Sequence, residues 1–317
     1  MTGCCLYLLQ LLNFKKLSEN DTSITIKKRF FRMKTLIADS GSTKTDWCIA
    51  EGGQAIARAT TQGINPIHQS DEQIGKILND ELDDDFLRQT EGVGGVYYYG
   101  AGALPSVAPR LRRMLTATFL TADAAPQSVM VEGDLLGAAR ALFGVEEGIA
   151  CILGTGSNSG LYDGTRLVMN TPPLGYILGD EGSGAVMGRN FLGTLCKGLF
   201  PSSLAEEYHR QTGLSTADII QRVYREPLPN RFLAQTTRFI HQHLDDSGIR
   251  QFVVDNFRAF FRRNLVQYHR PDLPVRAIGS VAYYFREQLA FAAAKEGFAI
   301  DRVEKSPMEG LISYHNF

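Results

Sequence analysis

The sequence lacks an excess of charge of either sign. Its 317 residues include 33 Lys and Arg against 34 Asp and Glu, which leaves a net charge of −1. Proteins that bind nucleic acid or anionic membrane surfaces concentrate basic residues on one face. The even balance gives no electrostatic case for either partner, and we expect the protein to bind neither nucleic acid nor membrane.

Cysteine is scarce and shows none of the spacings of a metal or disulfide site. The five cysteines are Cys4, Cys5, Cys48, Cys151 and Cys196, and no two of them form a CxxC pair. This pattern predicts neither a zinc site nor a disulfide framework, and it fits a reducing cytoplasm. His241 and His243 have no neighbouring Cys or acid cluster, which is typical of a solvated helix face rather than a metal site.

The apolar run at the amino terminus, CCLYLLQLLNF, is too short to cross a bilayer, which takes about 20 residues. No basic residue precedes the run and no small-residue cleavage site follows it, so it does not resemble a secretory signal. A polar, basic stretch comes next, and Met33 stands directly before the first predicted strand. We interpret residues 1–32 as an N-terminal extension outside the fold, with a helix lying on a membrane surface as the alternative.

The chain does have the composition of a globular protein, 44% hydrophobic and 21% charged, and enough residues for two domains. A strand, a tight turn of small residues and a second strand occur near 36–49 and again near 149–163. This repeat predicts an α/β fold of two related domains that face each other across a cleft. Ligands of such sheets bind where strands end in loops.

Apolar residues at helical spacing predict the helices that accompany these strands. In the first half of the chain they predict one unbroken helix over residues 70–90, and further helices are predicted near 105–120 and over the segment LLGAARALFG. In the second half the predicted helices are 184–199, 202–212, 215–224, 230–246 and 250–268.

The segment LIADSGSTKTDW, residues 36–47, runs from an apolar strand into Asp39 and a turn of small, hydroxyl-bearing residues. Small residues let a ligand approach the backbone closely, and exposed amides in such a turn can form an anion-binding concavity. A carboxylate beside an anion site is favourable when a metal ion lies between the two. The segment therefore predicts a nucleotide-phosphate loop with magnesium, with an ordinary hairpin turn as the alternative.

Two better-known nucleotide motifs do not fit the sequence. A P-loop requires GxxxxGK[ST], whereas Lys44 follows Thr43 and no glycine stands at the required distance before it. The segment GTGSNS at 154–159 has serine in place of the third glycine of a dinucleotide fingerprint, and a strand-like segment follows it. Two small-residue turns flanked by strands, one in each half, are stronger evidence for a nucleotide site than either of these motifs.

Six segments occur in the order of one protein family: DSGSTKTDW, VEGDLLGAARALFG, ILGTGSNSG, LGYILGDEGSG, AIGSVA and SPMEGL. Through them the chain, over about residues 33–317, resembles the N-acetylglucosamine kinase-like, BadF/BadG/BcrA/BcrD ATPase family of the sugar kinase and actin superfamily. The resemblance implies two ribonuclease H-like, actin-like ATPase domains around a central nucleotide and sugar cleft. Residues 33–135 would form the first domain and 136–304 the second, and 305–317 would pack back on the first.

The same resemblance implies a phosphate-binding role for both turns. The amides of Gly41, Ser42 and Thr43 would cradle the phosphates of ATP, and Lys44 would help to neutralise them or point to solvent. Asp39 would hold Mg²⁺, directly or through water, because a hard cation prefers oxygen ligands. The second turn would contribute Gly154, Thr155, Gly156 and Ser157, and the adenosine segment Gly279 and Ser280.

Asp134, at the end of the strand SVMVEGD, is the position that the resemblance implies as the catalytic base. It would take the proton of the attacking sugar hydroxyl, and the alternative from the residue itself is a helix N-cap. The implied sugar-binding residues are Asn65, Asp134, Thr155, Asn158 and Asp180. For Asp180 and Glu181 the alternative is again the capped start of a helix.

The expected reaction is ATP-dependent phosphorylation of a small-molecule amino sugar, and the expected substrate is N-acetylglucosamine, phosphorylated at the 6-hydroxyl. The resemblance also leads us to expect a homodimer. Ser40 stands where family members often have glycine, and Tyr176 stands in place of a tryptophan before GDEG. Without the tryptophan, a contact with the acyl group of an N-acetyl sugar is unsupported, so glucosamine and N-acetylmuramic acid stay open as substrates. Related ATPase activators of acyl-CoA dehydratases are a further alternative. They need paired, exposed cysteines for an iron–sulfur cluster, whereas Cys48 and Cys151 lie in apolar strands and Cys196 in an apolar helix.

Overall fold

Two five-stranded sheets form the framework of the described residues, which are 34–41, 43–120 and 126–316 of this computed structural model. The predicted extension over residues 1–32, and Ser42 of the first turn, lie outside the described residues. The first sheet has the order β3-β2-β1-β4-β5 and contains β1 (Lys34–Ser40), β2 (Lys44–Glu51), β3 (Gln54–Gln62), β4 (Val93–Gly100) and β5 (Ser128–Gly133). The second has the order β10-β9-β6-β7-β8 and contains β6 (Glu147–Leu153), β7 (Ser157–Asp163), β8 (Leu167–Asn170), β9 (Val275–Ile278) and β10 (Ile300–Glu304).

The two sheets share one topology. In each, the first three strands form an antiparallel meander, and the last two run parallel to the first. The predicted α/β fold of two facing, related halves is confirmed. In the first sheet, Ser40 pairs with Gly100 and Gly100 with Gly133, so three parallel strands end in one row. Such a row of carboxyl ends is where ligands of these sheets bind.

Helices connect the strands in both halves. In the first half they are α1 (Asp71–Asp80), α2 (Asp84–Gln89), α3 (Ala108–Thr118) and α4 (Asp134–Phe143). In the second half they are α5 (Gly175–Leu178), α6 (Gly184–Cys196), α7 (Ser202–Thr212), α8 (Thr216–Tyr224), α9 (Pro229–Gln235), α10 (Thr237–Gln242), α11 (Ser247–Phe260), α12 (Ser280–Tyr284), α13 (Arg286–Lys295) and α14 (Met308–Tyr314). A π-helical turn (Phe261–Leu265) and a 3₁₀ turn (Val266–Tyr268) extend α11.

Three of the predicted helices were wrong in extent. The single helix over 70–90 is two helices, because the side chain of Asp83 accepts a hydrogen bond from the Phe86 N–H and so begins α2. The helix over 230–246 is also two, which meet at Thr236, and it ends at Gln242. The helix over 250–268 begins earlier, where Asp246 caps α11, and its last turns are π and 3₁₀.

Alternation along the strands divides the apolar core into layers. In β1, Leu36 and Ala38 face an outer cluster with α1, α2 and α3, whereas Ile37 faces the other way. Ile37 belongs to a central cluster that also contains Ala150 of β6 and Leu311 of α14. A third cluster lies on the outer face of the second sheet. The central cluster therefore joins the two halves, with α4 and α14 between them.

Helix α4 is held between the two sheets by close contacts at glycine. A Cβ atom at Gly137 would lie 2.7 Å from the ring of Tyr99 in β4, and one at Gly160 in β7 would lie 3.0 Å from Leu135. At Gly310 of α14 a Cβ would collide with the Ala141 backbone of α4. These approaches are open only to glycine. The position of the first turn of α4 is therefore fixed by both sheets and by α14.

The C-terminal helix also meets β4 through a buried polar cluster. Arg140 Nη1 donates to the Tyr99 hydroxyl at 3.0 Å, and this hydroxyl lies 2.8 Å from His315 Nε2. The Tyr97 ring stacks on His315, with 3.7 Å between ring centroids. Burial lowers the pKa of His315 to about 3, and the Arg140 charge adds to this effect. His315 is therefore neutral and can accept the Tyr99 hydroxyl proton.

We expect His315 to make folding sensitive to acid. Between its folded pKa of about 3 and its ordinary value of 6.5, the unfolded chain binds a proton at this residue and the folded chain does not. Its contribution is complete above the upper value and is lost as pH falls through this interval. Melting temperatures measured across the interval should fall more steeply for the wild type than for His315→Gln. Parallel curves for the two proteins would contradict the prediction.

Candidate functional site

The turn between β1 and β2 is a tight hairpin stabilised by its own small residues. The Gly41 N–H donates to the Lys44 carbonyl at 2.9 Å. Below the turn, the buried Ser40 and Thr45 hydroxyls lie 2.7 Å apart and bond each other across the strands. These bonds define the turn and leave Thr43 exposed at its tip.

Two aspartates pair across this hairpin, but only one has a counter-charge. Asp39 of β1 is the cross-strand partner of Asp46 in β2. Asp46 accepts hydrogen bonds from Lys44 Nζ at 2.5 Å and from Thr60 Oγ1 at 3.0 Å. Lys44 is thus bound to a carboxylate of its own strand. Within the described residues, Asp39 receives no hydrogen bond or ion pair from a side chain.

Asp39 and Asp134 both lie at this edge of the first sheet, and the pKa of each is raised. Burial, together with the Asp134 and Asp46 charges, raises the pKa of Asp39 to about 7, and the Lys44 charge partly opposes them. Burial also raises the pKa of Asp134, although Asp134 Oδ1 accepts a hydrogen bond from the Leu135 N–H at 2.9 Å. Two carboxylates that are incompletely neutralised favour a proton or a cation beside them.

Both capping alternatives from the sequence are wrong. Gly133 is the N-cap of α4, and Asp134 is the first helical residue. At α6 the N-cap is Ser183, whose side chain accepts a backbone N–H, so neither Asp180 nor Glu181 begins that helix. The cap is the residue with extended dihedral angles before the first turn, and the sequence does not locate it to one position. The carboxylates of Asp134 and Asp180 are therefore not used as caps.

The turn between β6 and β7 rests on the start of α6. The N–H of Gly184 donates to the Gly154 carbonyl at 2.8 Å, and the N–H of Ala185 donates to the Thr155 carbonyl at 3.1 Å. The buried hydroxyl of Ser157 donates to a backbone carbonyl at 2.8 Å. Ser157 thus supports the turn with its side chain, whereas Thr155 is partly exposed.

Asp180 lies beside this second turn in an uncommon backbone conformation. Its φ of +53° is in the left-handed region, which non-glycine residues seldom adopt. A Cβ atom at Gly156 would be 3.0 Å from Asp180 Oδ2. Burial raises the pKa of Asp180 to about 6, against the Ser157 N–H, which lowers it. The fold therefore holds a carboxylate of raised pKa against the second turn.

The two predicted asparagines lie at the ends of different sheets. The Asn65 side chain lies against Gly102, just beyond β4, where a Cβ would collide with it. Asn158 of β7 accepts a hydrogen bond from Asn170 Nδ2 at 2.9 Å. Because side chains alternate along a strand, Asn158 is on the same face as Gly160, which contacts α4. Asn158 thus lies on the face of the second sheet that is turned towards α4.

A cavity of ≈ 700 Å³ collects residues from both turns. Thr43 of the first turn, Thr155 of the second and Ser280 at the start of α12 all line it. Gly279, which precedes Ser280, has a φ of +124°, and a Cβ there would collide with the Leu153 carbonyl. Three segments that are far apart in the sequence therefore meet at one cavity.

One wall of this cavity consists of residues that none of the sequence motifs contains. That wall is formed by α9 and α10, with Arg231, Ala234, Gln235, Thr237, Arg238, His241 and Gln242. His241 is exposed on its helix, as the sequence predicts, and its ring also packs against Tyr284 and Phe285 at the cavity. The spacing of these polar residues is helical, but a polar stripe predicts a solvated face equally well.

The described residues contain no group of three or more His, Cys, Asp or Glu that could hold a metal ion by themselves. Magnesium usually takes one or two protein carboxylates and completes its shell with phosphate and water oxygens. The under-neutralised Asp39 fits that donor set. None of the helices in the described part of the chain has the length and apolarity of a membrane span.

Fold and site together define a two-domain protein with actin-like ATPase architecture. The chain is 50% identical to a provisionally named N-acetylglucosamine kinase from Porphyromonas gingivalis, with a TM-score of 0.86 over 89% of this chain and 98% of that one. The chain therefore belongs to the N-acetylglucosamine kinase-like family of sugar kinases.

More distant structures share the fold alone. A protein of the same provisional name from Chromobacterium violaceum is 15% identical, with a TM-score of 0.67 over 90% of this chain and 99% of that one. The ethanolamine utilization protein EutJ from Carboxydothermus hydrogenoformans is 14% identical, with a TM-score of 0.50 over 89% of each chain. Comparisons with protein-family profiles and with curated proteins found no match.

Proposed function

We propose that this protein transfers the terminal phosphoryl group of ATP, with Mg²⁺, to the 6-hydroxyl of N-acetylglucosamine. The observation that carries the proposal is the meeting of Thr43, Thr155 and Ser280 at one cavity. These residues stand in the segments whose family counterparts bind the phosphates and the adenosine. The 50% identity to the Porphyromonas gingivalis protein, whose name gives N-acetylglucosamine as substrate, supports the choice of sugar.

In this proposal the backbone amides of the two turns bind the phosphates. Gly41 and Thr43 come from the first turn, together with Ser42, and residues 154–157 from the second. Asp39 would hold Mg²⁺, and a bound cation would offset phosphate charge and the negative charge of the buried Asp39 carboxylate. Lys44 acts indirectly, because it is bound to Asp46.

Asp134 accepts the proton of the attacking hydroxyl. Its raised pKa makes it a stronger base than an ordinary exposed carboxylate. Phosphoryl transfer depends mainly on positioning and charge, so a carboxylate that orients the nucleophile is the principal protein group in the step. Asp134 directly follows β5, at the row of carboxyl ends that also contains the first turn, and this nearness supports the proposed roles of both.

The sugar is bound by short polar side chains from both halves. Asn65 comes from the first half, Thr155, Asn158 and Asp180 come from the second, and Asp134 contacts the reacting hydroxyl. Short amide, hydroxyl and carboxylate groups suit a ligand that presents many hydroxyls. The raised pKa of Asp180, about 6, suits a carboxylate that gains hydrogen bonds when a sugar arrives.

A sugar panel with ATP and Mg²⁺ tests the proposal. We expect ADP release with N-acetylglucosamine to exceed that with glucosamine and with N-acetylmuramic acid, and NMR of the product to show a 6-phosphate. Asp134→Asn protein purified in parallel is the control for contaminating kinases. Preference for glucosamine or N-acetylmuramic acid would correct the substrate and keep the reaction. ADP release that no sugar increases would overturn the kinase assignment.

The cysteines weigh against the role of a dehydratase activator. Cys48 and Cys151 are buried, and Cys196 is the only exposed cysteine of the described residues. Burial raises the pKa of the Cys151 thiol, which disfavours the thiolate that an iron–sulfur cluster needs. An iron assay on the purified protein beside the sugar panel separates the two roles.

A further inference from the structure

One wall of the nucleotide cavity carries a row of residues at helical spacing. Arg231, Ala234, Arg238 and His241 follow one another by three or four positions on α9 and α10, and all of them line the cavity. Residues three or four apart lie on one face of a helix. The row therefore runs along the cavity from one end towards the other.

The two ends of this row are fixed by their contacts. A Cβ atom at Gly184 would be 3.3 Å from Ala234 Cβ and 3.2 Å from the Gly154 carbonyl, so Ala234 lies near the second turn. At the other end, the His241 ring packs against Tyr284 and Phe285 of the adenosine segment, with centroid distances of 5.9 and 5.3 Å. Arg238 stands between these ends, one helical turn from Ala234.

The carboxylates beside the two turns, together with a bound nucleotide, would give this end of the cavity an excess of negative charge. Among the described residues neither Asp39 nor Asp134 forms an ion pair, and the nearby Lys44 is bound to Asp46. A nucleotide adds several negative charges, of which Mg²⁺ offsets only two. Within the described residues Arg238 forms no hydrogen bond or ion pair, and its side chain is exposed in the cavity wall.

We propose that Arg238 binds the polyphosphate of the nucleotide and supplies positive charge during phosphoryl transfer. The guanidinium presents several N–H groups in a plane and can bind two phosphate oxygens at once. An arginine beside a transferring phosphoryl group stabilises the charge that is spread over its oxygens. This assignment rests on the proposed kinase function and adds a substrate-contacting residue that the sequence motifs do not contain.

Binding measurements on Arg238→Gln test the contact directly. We expect the affinity for MgADP and for magnesium pyrophosphate to fall about ten- to hundredfold, since a hydrogen bond to a charged group is lost. The affinity for adenosine should stay within about twofold, because adenosine has no phosphate. Arg238→Lys should recover part of the MgADP affinity, since it keeps the charge without the planar fork.

A matched control is Arg222→Gln. Arg222 is also an exposed arginine of the second half, but it lies over the Phe232 ring and does not line the cavity. We expect its MgADP affinity and its melting temperature to equal those of the wild type. Equal melting temperatures for Arg238→Gln would show that its effect is not a folding defect.

Kinetic measurements distinguish a failure of the Arg238 assignment from a failure of the proposed kinase function. In the sugar assay, Arg238→Gln should raise the KM for ATP and lower kcat while leaving the KM for the sugar nearly unchanged. If the wild type phosphorylates a sugar and the variant keeps the wild-type KM for ATP, Arg238 is wrongly assigned and the kinase function stands.

If the wild type binds MgADP in an Arg238-dependent way but phosphorylates no sugar, the contact between Arg238 and the nucleotide stands and the proposed kinase function fails. A wild type that binds neither MgADP nor pyrophosphate, or a variant that loses adenosine to the same extent as MgADP, overturns the Arg238 assignment.

Discussion

Asp134→Asn should slow phosphoryl transfer by about two to four powers of ten while the protein stays folded. An amide has nearly the shape of a carboxylate, but it cannot accept the proton of the sugar hydroxyl. The measurement is kcat under saturating ATP and sugar, with sugar affinity measured separately. Affinity should change much less than kcat, because the amide oxygen still accepts a hydrogen bond from the hydroxyl.

The same substitution should leave stability equal to that of the wild type or raise it. The asparagine Oδ1 can accept the hydrogen bond that Asp134 Oδ1 receives from the Leu135 N–H. The raised pKa of Asp134 means that its charged form is disfavoured in the folded state, so at neutral pH the carboxylate destabilises the fold. Proteins often gain stability when a reacting group of the active site is removed, because stability and activity are traded against each other there.

Asp134→Ala is the companion variant for this prediction. It removes both the proposed proton acceptor and the hydrogen bond from the Leu135 N–H. We expect kcat to be as low as in Asp134→Asn, with a lower melting temperature. Near-normal turnover in Asp134→Asn, together with destabilisation of Asp134→Ala, would show that Asp134 is structural. Asp180, whose pKa is also raised, would then be the next candidate for the base.

Asp39→Asn should cause a large loss of turnover and weaken the dependence of activity on Mg²⁺. The variant keeps the shape of the hairpin but removes the carboxylate proposed to hold the metal ion. Titration of MgCl₂ at saturating ATP and sugar measures the effect. Sugar affinity should remain near the wild-type value, because the role proposed for Asp39 concerns the phosphate and the metal ion and not the sugar. Unchanged ATP turnover would mean that the segment is only an ordinary hairpin.

Asp46→Asn is the matched control for this variant. Asp46 pairs with Asp39 across the strands, yet it is already bound by Lys44 and Thr60. Its loss should reduce turnover far less than the loss of Asp39, and should leave the Mg²⁺ dependence almost unchanged. Equal effects of the two substitutions would indicate that both act through the shape of the hairpin.

The strand pattern and the order of motifs were sufficient to predict the fold class. The apolar run of residues 36–38 followed by Asp39, and its counterpart before Gly154, marked two copies of one strand, turn and strand unit. The confirmed fold class follows from this repeat, because strand alternation is a local property that each segment carries by itself. Helix limits were less accurate, since a cap such as Asp83 interrupts an apolar pattern without changing its spacing.

The sequence by itself thus determined that this chain has two related halves, small-residue turns after two central strands and acids at defined places beside them. Only the tertiary structure decided which of those groups have partners. Lys44 is bound to Asp46, whereas Asp39 and Arg238 have no ion pair within the described residues. The wall formed by α9 and α10 lies nearly 190 positions from Thr43 in the chain, and only folding brings it to the same cavity. A polar helix face has the same sequence pattern whether it meets bulk water or a bound nucleotide, so its role depends on what the fold places opposite it.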